Sequence, residues 1–344
     1  MIKGDTLSKS HTLSALAAQR ETHLSRRHLL GLGMAAGFAP GLAFAQEFPS
    51  RPIRLMVGAT PGGSIDFGAR ALAGPLTALL GTPVLVENKP GGFGVICTDY
   101  VIKSPADGYT LLVGTPSPVI IAPQAMPKPP FNPLTDLLAI NMVSTSPLAI
   151  AVNPRLPVKN LQDLLALSRT RPITMGLPLA GSLSHLVVEL TAKATGINFL
   201  NAAYKGAAPA VNDAMGGHID ATVSDVGVFL PLHKEGRLRV IMVTSDKRIE
   251  ALPDVPSVSE FGPGMAATNW IGIFAAVNTP KAVVDKINAA LINAVAREDV
   301  QAAYRGFSVT AAAMAGPEPF QKFVASEYQR FGQIVREKNI VIGT

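Results

Sequence analysis

The chain has 344 residues, 16% of them charged, a net charge of +6, six histidines and one cysteine, Cys97. A single cysteine excludes an internal disulfide and a cysteine-built zinc or iron–sulfur centre. The basic residues are scattered with few aromatics between them, which argues against a nucleic-acid surface.

The N-terminus comes first in chain order. Ser25, Arg26 and Arg27 begin a twin-arginine pattern. An apolar run follows, Leu29 to Phe44, with no acidic residue and no lysine, and it closes in Ala43-Phe44-Ala45. Residues 1–45 therefore read as an export signal cleaved after Ala45. The run is too short and too rich in Gly and Ala for a membrane span. An uncleaved anchor is the alternative. About half of the net charge leaves with the signal.

Beyond it, short apolar runs alternate with amphipathic helical patterns. Ile53–Val57 reads as a strand, Ile65–Leu80 as a helix, Pro83–Glu87 as a strand and Gly94–Lys103 as a helix. Thr110–Gly114 and Leu148–Val152 are buried strands. Asn160 caps a helix through Ser168. Ile173–Gly176 is a strand and Ser182–Thr195 a helix. Ala207–Met215, Ile219–Val223, Val226–Glu235 and Leu238–Val243 continue the alternation. Asn269–Val277 is a strand, and Pro280–Arg297 and Pro317–Lys338 are helices. The βα rhythm predicts an α/β fold of mostly parallel sheets with helices on both faces.

Two proline-rich stretches break the rhythm, 116–133 and 251–264, and both read as irregular connections. The elements after the second break are too few for a domain, so they return to the first. This gives two lobes joined by two crossings: residues 46–147 plus 269–344, and residues 148–268. Ligands of such sheets sit at the carboxyl ends of strands and in clefts between domains.

Two helix starts stand out. Thr60, Gly62, Gly63, Ser64 and Asp66 lie in a glycine turn between a strand and a helix. Gly181, Ser182, Ser184 and His185 form its counterpart in the second lobe. Backbone N–H groups at helix starts attract anions, as glycine turns do. One such start on each side of a cleft can clamp a carboxylate. The serines are equally suited to capping their helices. Asp66 also fits a first-turn carboxylate favoured by the helix dipole. Asp225 follows a strand end. It either caps the next helix, the preferred reading, or receives a ligand amine or hydroxyl.

Enzyme and cofactor patterns are missing from the sequence. Neighbouring residues such as Ser184 and His185 do not face each other on a helix, and no G-x-S-x-G elbow is present. The histidines have no H-E-x-x-H spacing, and there is no Walker or G-x-G-x-x-G motif. No metal, cofactor or catalytic residue is expected. Cys97, in an apolar setting, reads as a core residue. An exported serine-dependent hydrolase and a structural surface protein are the competing classes. The first lacks spacing for a base and acid, and the second lacks repeats.

The ordered motifs PSRPIRLMVGATPGGSIDFGAR, GTPVLVENKPGG, SPADGYTLLVGT, GSLSHL, AAYKGAAPAVNDAMGGHIDA, VTSDKRIEALPDVPSVSEFG and NWIGIFAAVNTP span most of the chain from Pro49 on. Together they resemble the Bug family, the solute-binding receptors of tripartite tricarboxylate transporters. The resemblance implies a non-enzymatic periplasmic protein with a type II binding-protein fold, whose two lobes close on a small organic acid. It implies membrane permease subunits as partners, or a sensor protein that signals without transport, and no nucleic acid. It also implies that the two helix-start loops grip a carboxylate, with Gly114, Thr115 and Asp225 facing the cleft. Three places depart from the family's pattern. Ala59 and Thr60 replace a bulky residue and a proline. Leu177-Pro178-Leu179-Ala180 replaces a polar run. Ala122-Pro123-Gln124-Ala125-Met126 stands where an Asn-Pro-x-Leu-Tyr-like segment is usual. These changes add aliphatic surface and point to an acid with an apolar or aromatic body rather than a citrate-like one.

Overall fold

The computed structural model describes residues 47–262 and 264–342, so the export signal read at residues 1–45 lies outside the described residues. Among the described residues, ten strands form two sheets that share one long strand. In chain order the strands are β1 (Ile53–Val57), β2 (Val84–Asn88), β3 (Thr110–Gly114), β4 (Leu137–Val152), β5 (Ile173–Leu177), β6 (Phe199–Ala203), β7 (Ala221–Asp225), β8 (Arg239–Val243), β9 (Thr268–Ala276) and β10 (Thr310–Ala311). The main helices are α1 (Ser64–Leu80), α2 (Val95–Ile102), α3 (Leu161–Ser168), α4 (Leu183–Thr195), α5 (Ala207–Gly216), α6 (Val226–Lys234), α7 (Lys281–Ala296), α8 (Glu298–Gly306) and α9 (Pro317–Glu337).

The first sheet runs β2-β1-β3-β9-β4-β10 and the second runs β8-β4-β7-β5-β6. The expectation of mostly parallel sheets holds only at the outer strands. β1–β2, β1–β3, β5–β6 and β5–β7 are parallel, whereas β3–β9, β4–β9, β4–β7, β4–β8 and β4–β10 are antiparallel. The cause is that β4 and β9 run side by side in opposite directions, as successive passes of the chain through the middle of the molecule.

β4 changes partners at one point. Residues 137–147 pair with β9, and residues 148–152 lie between β7 and β8. Pro147 sits at the handover, where a residue without an N–H costs no ladder bond. The next N–H, that of Leu148, is taken by Thr244 Oγ1 at 2.9 Å. Register shifts at Ala139/Asn141 and Met142/Ser144 mark irregularities in the same strand. Bulges of that kind bend and twist a strand.

Helices cover both faces of the first sheet. α1 turns Ala69, Leu72 and Leu76 onto Ile53, Leu55 and Val57, with Ile287 and Leu291 of α7 in the same core. α9 lays Phe320, Val324 and Phe331 over Trp270 and Phe274 on the other face. Cys97 is fully buried in that core, as expected of a packing residue. The stretch 116–133 is less irregular than expected. It contains a π-helical turn, Ser117–Ile121, and a short helix, Ala122–Ala125. Val119, Ile120 and Ile121 are fully buried there, and Gln124 Nε2 donates to Tyr328 O of α9 at 2.8 Å. The segment 251–264 holds a 3-10 turn at Val258–Glu260 closed by a Ser257/Glu260 capping box.

Candidate functional site

A cleft of about 500 Å³ opens where the two sheets meet. Pockets of 300–1,000 Å³ suit small molecules. Its wall is built from strand ends. Gly58 to Thr60 follow β1, Thr115 follows β3, Pro178 and Leu179 follow β5, Lys205 follows β6, and Asp225 ends β7. The residues that follow these ends start helices, so the N-termini of α1, α4, α5 and α6 reach the same space. The first N–H groups of a helix have no partner within it, and the aligned peptide dipoles make that end positive. Lys205 is the cation on this wall, and Asp225 is the acid.

The first loop is held by Asp66. Its carboxylate accepts from the Gly62 N–H at 2.9 Å, from Arg70 Nε at 2.9 Å and from Asn88 Nδ2 at 2.9 Å. Asn88 Nδ2 also reaches Ala59 O at 3.0 Å. The Arg70 guanidinium holds the Asp66 carboxyl down at about 2, against the opposing effect of burial, with help from Gly62 and Asn88. Asp66 is 2% exposed and lies behind the loop, so it shapes the loop and is not on the cleft wall. Gly63 occupies the N-cap of α1, without a side-chain cap, and leaves Ser64 in the first turn, exposed to the cleft.

The second loop is tied down differently. Ser182 is the N-cap of α4, but its hydroxyl donates to Leu179 O at 2.7 Å instead of capping. The Leu183 N–H is taken by Ser117 Oγ at 3.2 Å, a bond from the first sheet's loops to the second's. Ser182 and Ser184 line the cleft. His185 does not. Its Nδ1 accepts the Gly181 N–H at 3.0 Å, and its Nε2 lies 3.7 Å from Glu189 Oε1. Neither ring nitrogen is left to serve Ser184 as a base. Glu189, held down at about 2 by His185 first and then by Lys338, ties this helix to the end of α9.

Asp225 departs from the preferred reading. It precedes α6 but makes no side-chain cap bond. Instead its Oδ1 accepts from Asn269 Nδ2 of β9 at 3.3 Å. Burial pushes its carboxyl above the usual carboxylate range, with the Asn269 amide opposing. Thus Thr60, Ser64, Thr115, Ser182, Ser184 and Asp225 share one cleft, with Gly62, Gly63 and Gly181 in the loops that carry them. The sequence reading missed Ser117, Lys205, Asn269 and Phe93. Lys205 lay in a quoted motif and carried a legible signal, a lysine directly before the Gly206 of a helix start. Asn269 carried none, because only the pairing of β4 with β9 brings it to the cleft.

The model of the tripartite tricarboxylate transporter family receptor matches residues 68–340. The chain belongs to that receptor family. BugT of Bordetella pertussis is 35% identical over 313 residues, covering 90% of this chain and 96% of BugT. Solved structures of the same kind superpose closely. The periplasmic binding protein BugD is 30% identical, with a TM-score of 0.74, over 86% of this receptor and 99% of BugD. An R. palustris protein solved with adipate is 29% identical, with a TM-score of 0.77, over 86% of this chain and 99% of that one. MatC of Rhodopseudomonas palustris, solved with malate, is 25% identical, with a TM-score of 0.72, over 84% and 100%. The receptor shares their two-lobed α/β fold. Among the described residues, no helix is long and apolar enough to cross a membrane, and no cluster of His, Cys, Asp and Glu is arranged to hold a metal.

Proposed function

We propose that this receptor works in the periplasm, after removal of residues 1–45, and captures a small organic acid between its lobes. Residues 46–147 with 269–344 form one lobe and residues 148–268 the other. The observation that carries this reading is the convergence of helix N-termini and Lys205 on one cleft. The carboxylate binds the free N–H groups of the α1 and α4 starts, with hydroxyls from Ser64, Ser182 and Ser184. Closure is a shift of population toward the state with more ligand contacts. The Ser117–Leu183 bond belongs to that state, because it joins the two sides. The closed form then presents the acid to permease subunits of a tripartite transporter. No covalent or proton-transfer step is needed. The aliphatic loop Leu177 to Ala180 favours an acid with an apolar or aromatic body. The test is a thermal-shift screen of the purified protein against mono-, di- and tricarboxylates. A ligand at a hundred times its Kd adds about 2.7 kcal/mol of stability. A shift confined to one acid class supports the reading, and citrate binding tighter than every apolar acid would reject the ligand class.

A further inference from the structure

A second cavity, of about 260 Å³, adjoins the cleft. The two share Ser64, Ile65, Asp225 and Asn269, so those residues form a partition with space on both sides. The far side is apolar: Phe67, Val228, Ile271, Tyr304, Phe307 and Val309 face it. Phe67 and Phe307 stack with ring centroids 3.7 Å apart. An apolar cavity of about 150 Å³ holds a benzene ring, so this annex has room for a substituted one.

Two buried polar groups on residues that line the annex lack a hydrogen-bond partner, the Ser146 hydroxyl and the Trp270 indole N–H. Ser146 stands opposite Asn269 in the β4–β9 ladder, and Ser144 stands opposite Ile271. Directly paired residues share a sheet face. Asn269, Ile271 and Ser146 all line the annex, whereas the Trp270 ring, although its residue also borders the annex, packs against Phe274 and Phe320 in the core. Ser146 is 7% exposed. Its hydroxyl lies near the Asp225 carboxyl but makes no bond of good geometry. A buried polar atom left unpaired is costly and calls for an explanation. A ligand group at the partition supplies one.

We propose that the annex selects acids that carry both a ring-sized apolar group and a hydroxyl or amine. This rests on the carboxylate-receptor reading above. The carboxylate sits at the helix starts of the cleft. The hydroxyl or amine donates to Asp225 and meets Ser146 at the partition. The apolar group enters the annex against Phe67, Phe307 and Ile271. A plain dicarboxylate leaves the annex empty and Ser146 unpaired.

The experiment is calorimetry on the purified protein with four probes: 3-phenyllactate, phenylalanine, 3-phenylpropanoate and lactate. At least one of the first two is expected to bind tenfold or more tightly than 3-phenylpropanoate, which lacks the donor, and than lactate, which lacks the ring. Comparison of phenyllactate with phenylalanine identifies the donor as hydroxyl or amine. Val228→Trp, which fills the annex, is expected to remove the advantage of the ring, and circular dichroism checks that the variant is folded. Lactate binding as tightly as the ring acids overturns the annex while leaving the receptor reading intact, as does a ring preference that survives Val228→Trp. Equal binding of 3-phenylpropanoate and both donor-bearing acids overturns the role of Asp225 and Ser146. Failure of every acid in both this set and the carboxylate screen removes the receptor reading itself, and this inference with it.

Discussion

Replacing Asp66 by Asn tests whether one buried carboxylate holds the first binding loop. The side chain keeps its size but loses its charge. Its new amide also turns an N–H toward donors that now face a carboxylate: the Gly62 N–H, Arg70 Nε and Asn88 Nδ2. The depression of Asp66 from 3.8 to about 2 corresponds to about 2.4 kcal/mol at most, at about 1.36 kcal/mol per pH unit. The Arg70 side chain is 53% exposed, and exposed pairs are screened by solvent, so roughly half of that is expected. The unsatisfied N–H contact brings the cost to about 1–2 kcal/mol at pH 7. A carboxyl depressed in the folded state contributes above its unfolded value, and the contribution is lost as pH falls through the folded one. The gap between wild type and Asp66→Asn therefore stays full above about pH 5 and closes between 3.8 and about 2. Urea unfolding, followed by the fluorescence of the buried Trp270, measures it. A gap that stays constant down to pH 2 assigns the cost to packing rather than charge. No gap at pH 7 means that Asp66 does not hold the loop.

Further outcomes are expected at other sites. A Cβ on Gly227 of α6 collides with the Phe307 carbonyl at the end of α8. Gly227→Ala is thus expected to wedge the two sides apart and raise the Kd for any acid severalfold, and an unchanged Kd in calorimetry would sink this idea. Gly181 has φ of +77° and its missing Cβ is replaced by the Ile342 side chain, so Gly181→Ala is expected to cost about 1–3 kcal/mol in urea unfolding. Burial pushes the Cys97 thiol up to about 11. A thiolate-seeking reagent at pH 8 is expected to leave Cys97 unmodified until denaturant is added, and rapid native labelling contradicts its placement. Leu72→Ala, in the fully buried core under α1, is expected to lose about 2–5 kcal/mol, and a loss below 1 kcal/mol would show a poorly packed core.

Much of this architecture was legible because its periodicities were strong. α1, α3, α4, α7 and α9 fall within two residues of the pattern, and Asn160 caps α3 as read, accepting the Asp163 N–H at 2.9 Å. What escaped has physical reasons. The first part of β4, residues 137–147, mixes Asn, Ser, Thr and Pro with apolar residues, because bulges and a change of partner disturb its alternation. β6 is half-exposed at an edge, so burial wrote no apolar face into it. The parallel expectation failed because a helix between two strands implies a parallel pair, whereas β9 enters from another lobe. At the site, the loops were visible as glycine turns after strands. The tasks of Asp66, His185 and Asp225 were not, since each depends on partners 4 to 44 positions away.

The shared strands also set an order of construction. β9 lies between β3 and β4 in the first sheet, yet it is made after every strand of the second. α7 and α9, which cover the first sheet's two faces, come later still. The second sheet needs only residues 148–243. A chain released from N- to C-terminus therefore holds every strand of its second sheet before the first sheet has its central pair. Until Thr268–Ala276 arrives, β3 is an open edge, its Leu112, Val113 and Gly114 without the partners that β9 supplies. Such an edge invites pairing with another chain. A fragment truncated before Thr268 keeps that edge open, whereas the full chain closes it with β9 and covers the sheet with α7 and α9.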